Sequence, residues 1–191
     1  MGTNLTNKEL EEENDILRNK IKALEKNLND ELLKTKAKAE QSEEKFKLIT
    51  NAAHDAIVLM DSSGKVAFWN KAAKNIFGYT KNEIIGKDIH NILTPERFRV
   101  AQNIGFSKFK NTGKGAAIGK TLEFEGIRKN GEIFPLELSL SAIKIQDKWN
   151  SIGIVRDITD RKKIEKALKK NEAQLETCLR RLFLLVPNKN K

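Results

Sequence analysis

Few residues in this chain have types suited to chemistry: two histidines and one cysteine among 191 residues. His90 stands ahead of Asn91-Ile-Leu-Thr94-Pro95. A histidine so placed can accept a phosphoryl group when an acidic neighbour serves as base, but Asn91 takes that place. Pro95 already reads as a helix start. His54 has no second ligand at metal spacing, which makes it a structural residue. Cys178 excludes a disulfide framework and a multi-cysteine zinc site, and behaves as a small hydrophobe. Gly113-Lys-Gly115 followed by Gly119-Lys120-Thr121 imitates a phosphate loop, yet GxxxxGK[ST] wants glycine where Lys114 stands. A helix stop and a strand start explain these glycines. Paired carboxylates and Ser/His/Asp sets are missing, so the expectation is a protein that is not an enzyme.

The net charge of +10 invites a nucleic-acid reading until it is located. Residues 1–45 carry 9 basic and 11 acidic side chains, whereas residues 160–191 carry 10 and 4. The lysines of that last segment surround apolar positions Ile164 and Leu168, where base reading and helix packing would compete. A solvated helix face is the better account, so nucleic acid is not expected as a partner. No apolar run approaches the ~20 residues of a membrane span, and the first residues lack the features of a secretory signal. A soluble, cytoplasmic protein is expected.

The elements that must position these residues fall into three zones. From Leu5 to about Ile49 there is neither glycine nor proline, which favours one long helix. Leu10, Asn14, Leu17, Ile21, Leu24 and Leu28 follow heptad spacing, with Asn14 as a register-setting polar residue. Leu32, Ala39 and Phe46 continue after a stutter. Such a stripe needs another helix to bury it, and a dimeric coiled coil supplies one. The last zone, from Asp160 to Leu185, repeats the pattern through Ile164, Leu168, Asn171, Leu175, Cys178 and Leu182.

Between them, 56–61 and 65–69 read as a hairpin about DSSG. Asn70 caps a short helix that Gly78 ends, and Thr80 with Glu83 forms a capping box. Pro95 suits the first position of a longer helix that Gly113 terminates. Strands follow at 120–128, at 132–143 after the tight turn Asn130-Gly131, and at 151–158. This order makes an α+β domain built on one antiparallel sheet with helices on one face.

The middle zone resembles a PAS domain. The signposts are the D-x-x-G turn, Trp69-Asn70, Phe77-Gly78-Tyr79-Thr80 with Glu83 and Gly86, Lys129-Asn130-Gly131, and Asp157-Ile158-Thr159. The resemblance implies a PAS fold: a five-stranded antiparallel sheet with short helices enclosing a small-molecule pocket, flanked here by N- and C-terminal coiled-coil helices. The expected divisions are a coiled-coil helix at 1–45, the sensor domain at 46–159, a linker helix at 160–186 and a disordered tail at 187–191.

The subtype bears on the cofactor. The flavin-adduct PAS domains need a reactive cysteine after Gly86, and none is there, so a flavin adduct is excluded. The stretch from Pro95 to Asp157 is similar to haem-binding oxygen sensors. Their proximal histidine falls on Gln102 and their distal arginine on Leu122, which argues against haem and leaves the cofactor open. A pocket of Gln102, Leu122, Leu138 and Leu140 suits a small apolar ligand. Asp157, Thr159 and Arg161 are expected to couple sheet to outgoing helix, with Asp157 paired to Arg161. The resemblance implies a sensing and dimerisation module of two-component-type signalling. Its expected partners are a second copy in a parallel homodimer and a histidine kinase or other signalling protein. A ligand-free interaction scaffold is the alternative, with a haem or flavin sensor third.

Overall fold

The computed structural model describes residues 7–185, and the side chains of 9–181. The described residues divide into two compact units, one ending at Ile49 and the other beginning at Thr50. The first unit consists of helix α1, Asn7–Ala52, up to Ile49. Leu17, Ile21, Leu24 and Leu28 are all exposed along it, as is Asn14.

The second unit holds the sheet. Strands β1 (Ala56–Met60) and β2 (Val66–Trp69) form the expected hairpin. Its turn closes on Asp61, whose carboxylate accepts the N–H groups of Ser63 at 2.8 Å and Lys65 at 3.0 Å. The helices α2 (Lys71–Phe77), α3 (Lys81–Ile84), α4 (Ile89–Leu93) and α5 (Glu96–Thr112) come next, then β3 (Thr121–Ile127), β4 (Ile133–Ile145), β5 (Lys148–Asp157) and α6 (Thr159–Leu185). The sheet order is β2-β1-β5-β4-β3, every pair antiparallel. Bringing β5 against β1 makes the first and last strands the centre of the sheet.

Asn70 joins four segments. Its carbonyl accepts the N–H groups of Ala73 and Ile57, and its amide donates to the carbonyls of Thr50 and Asp55. With both sides of a buried amide used, the start of α2 is tied to β1 and to the chain entering it. Gly78 ends α2 at φ +83°, a left-handed conformation that costs glycine little.

Three local expectations shift. Pro95 lies just ahead of α5, whose first residue is Glu96. The unexpected helix α4 is capped by Asp88, which accepts from the Asn91 N–H at 3.0 Å. Strand β5 begins at Lys148, three residues before Ser151, because a two-residue turn places Gln146 and Asp147 at φ +47° and +60°. That is the twist a tight hairpin requires.

The side chain of Leu182 and the tail at 187–191 lie outside the described residues. Ile164, Leu168 and Leu175 are exposed on α6.

Candidate functional site

Alternation along β4 directs Leu136, Leu138 and Leu140 to one face of the sheet. Val58, Met60, Ser151, Gly153 and Val155 join them from β1 and β5, Phe124 and Glu125 from β3. The helices supply Phe77, Ile89, His90, Leu93 and Gln102, with Thr94 from the α4–α5 link. Together they enclose a cavity of about 150 Å³ with mainly apolar walls. A wider groove of about 770 Å³ shares His90, Gln102, Phe124, Glu125, Leu138 and Leu140 with it, and continues past Phe98, Phe106, Phe109 and Ile118.

Three polar side chains meet at the helical wall. Thr94 Oγ1 donates to Gln102 Oε1 at 2.6 Å, and His90 Nδ1 lies 2.9 Å from the same oxygen. A carboxamide oxygen only accepts, so His90 Nδ1 carries a proton. Its other nitrogen, Nε2, is buried without a hydrogen-bond partner. The ring packs beside Phe106, with centroids 5.3 Å apart. His90 therefore belongs to the site, on its helical wall. The sequence signal was the cap Asp88, which makes residues 89–93 a helical turn and places His90 within it.

Of the four expected pocket residues, Gln102, Leu138 and Leu140 come together. Leu122 does not: it pairs with Leu138 on the outer strand β3, is 36% exposed, and lies outside the walls. It shares the face of Phe124 but stands nearer the start of an edge strand. Gln102, with its oxygen shared by Thr94 and His90, does not fit as the proximal ligand of an iron porphyrin, and the alkyl chain of Leu122 cannot donate the hydrogen bonds of a distal arginine.

The expected pair of Asp157 with Arg161 is replaced by two separate links. Asp157 accepts from the Thr159 N–H at 2.9 Å and hydroxyl at 2.5 Å, and pairs with Arg128 at 2.5 Å. Burial works to raise its pKa, but the Thr159 hydroxyl and the Arg128 guanidinium outweigh it and hold the carboxyl below its ordinary value. Arg128 also donates to the Ile76 carbonyl and lies 3.7 Å over the Phe134 ring. Arg161 instead reaches across to Glu123 on β3 at 2.8 Å and Glu137 on β4 at 3.3 Å. Lys162 pairs with Glu123 at 2.6 Å. The first turn of α6 carries both cations over the β3–β4 edge, away from the residue that closes β5. The Lys162 ammonium, with Arg161 beside it, lowers the pKa of Glu123, and Glu123 raises that of Lys162.

The family profile described as PAS domain matches residues 54–160, more than half of the chain. The chain belongs to the PAS family. Among curated relatives, an uncharacterised protein of Azorhizobium caulinodans is 28% identical over 129 residues, and the sensor protein FixL of Bradyrhizobium diazoefficiens 28% over 127. These alignments cover 68% and 66% of this chain but 18% and 25% of the relatives, so the chain spans a quarter or less of their length. The oxygen sensor protein DosP of Escherichia coli is 29% identical over 118 residues, covering 62% of this chain and 14% of that protein. The PAS domain of an HTR-like protein from Haloarcula marismortui superposes with a TM-score of 0.50 at 20% identity, over 65% of this chain and 98% of that one. That likeness concerns the fold. No helix among the described residues is long and apolar enough to cross a membrane, and no group of three or more His, Cys, Asp or Glu residues among them is placed to hold a metal.

Proposed function

We propose that the chain is a cytoplasmic sensing and dimerisation module of two-component-type signalling, without catalysis of its own, in which occupancy of the PAS pocket changes the geometry of the flanking helices. The observation that carries this reading is on β3. Phe124 and Glu125 form cavity wall while their neighbour Glu123 holds Arg161 and Lys162 of α6. A ligand that presses on Phe124 moves the strand on which the outgoing helix is anchored. The names of relatives support the signalling context: sensor protein FixL, and the cell-division control histidine kinase PdhS of Brucella ovis.

The exposed stripes of α1 and α6 support a parallel homodimer as the form in which such a change is transmitted. They equally support the alternative, a scaffold that dimerises without a pocket ligand. Cys178, the one cysteine and exposed, offers a direct test by spin labelling. Dipolar spectroscopy is expected to give an interprotomer distance that differs between ligand-loaded and stripped protein, with the difference lost in Glu123→Ala. A dimer whose distance ignores occupancy favours the scaffold; a monomer at micromolar concentration overturns both.

A further inference from the structure

His90 lines the pocket, and one of its ring nitrogens is left unused by the fold. His90 Nε2 is buried and unpartnered, whereas Gln102 Oε1 takes the Thr94 hydroxyl and lies against His90 Nδ1. Because Gln102 Oε1 accepts, the Nδ1 proton is spoken for, and in the uncharged tautomer Nε2 presents a lone pair. A buried acceptor left without a donor is costly. Resting on the pocket-sensor reading, we propose that His90 Nε2 is the acceptor for a neutral, hydroxyl-bearing ligand with an apolar body about the size of one aromatic ring.

Size and charge both select this class. An apolar cavity of ~150 Å³ holds a benzene-sized body, and the inner cavity has that volume. The groove beyond it leaves room for a substituent. No lysine or arginine lines either space, while Glu125 lines both and Glu123 the groove. A carboxylate would enter without a counter-cation among the wall residues. A cationic amine would find both acids already engaged, Glu125 by Arg97 and Glu123 by Lys162 and Arg161. A neutral donor needs neither.

Four probes of similar size separate these cases by calorimetry on the full chain: 4-methylphenol, toluene, benzoate and benzylamine. 4-Methylphenol is expected to bind about tenfold tighter than toluene. His90→Leu is expected to erase that preference while toluene affinity persists. Should that variant not fold, ring-nitrogen NMR of the unaltered protein decides. The His90 Nε2 signal is expected to be that of an unprotonated nitrogen, and to move with 4-methylphenol but not with toluene. Equal affinity for phenol and toluene, or tighter binding of benzoate or benzylamine, overturns the donor assignment and leaves an apolar sensor pocket standing. Failure of all four to bind overturns the pocket-sensor reading as well.

Discussion

The two ends of the PAS core are built differently. At one end Trp69, Phe77 and Phe134 stack in sequence, with centroids 5.5 and 5.6 Å apart. Arg128 covers Phe134 and ties it to Asp157 and the Ile76 carbonyl, and Phe77 and Phe134 are 1% exposed. At the other end, Phe109 is the only buried residue of α5, while Phe98, at the groove, and Val100 and Ile104 are exposed. The space under α5 is cavity and groove, and Phe77 is the wall between it and the packed end. Interiors normally close at crystal-like density. A fold that fills one end and leaves the other open concentrates its stability in the first and its adaptability in the second.

The largest test of this contrast is Phe77→Ala. Its loss from the aromatic stack should destabilise the domain by about 3–5 kcal/mol in denaturant unfolding. A cost below about 1 kcal/mol would show that the packed end is not where stability resides.

Asp157→Asn comes next, at about 1–2 kcal/mol near neutral pH, because a partly buried charged acceptor is exchanged for a neutral one. Its pH dependence sharpens the point. The folded carboxyl titrates below its unfolded value, so its stabilisation is complete above the ordinary aspartate pKa of about 4 and disappears as pH falls through the folded value. The gap between the two proteins should therefore narrow in acid. A gap constant from pH 7 to pH 3 would remove Asp157 from the ion-pair account.

The smallest effect is expected on α5. Ile104→Ser, at a side chain 70% exposed, should change stability by no more than about 0.5 kcal/mol. A loss of 2 kcal/mol in the same unfolding experiment would mean that this helix face is covered in solution and the open end is not open.

Much of the local structure was legible in the sequence because its signals act over a few residues. DSSG, Asn70, Gly78, the Thr80 and Glu83 box and Asn130-Gly131 each specify a local backbone conformation, and the structure has a turn or cap at every one. Contacts between distant segments were less legible. His90 and Gln102 are 12 residues apart, and their meeting depends on α4 turning against α5. Arg128 and Asp157 are 29 apart and Arg161 and Glu123 are 38 apart. Sequence proximity favoured Asp157 with Arg161, but the first turn of α6 carries Arg161 over β3 and β4. Leu122 had the right residue type for a wall, and only the sheet order placed it toward an uncovered edge. The β4–β5 turn escaped notice because Gln146-Asp147 lacks the glycine that usually announces positive φ.

Five strands in their order along the chain, the caps of α2 and α3, the inward leucines of β4 and the apolar stripes of the long helices all follow from the sequence alone. Periodicity and capping are local physics, complete within a turn or a strand. Tertiary structure alone decided that a histidine, a glutamine and a threonine share one oxygen beside a cavity, and that an edge-strand glutamate anchors the outgoing helix. Those contacts join segments whose separation along the chain says nothing of their distance in space.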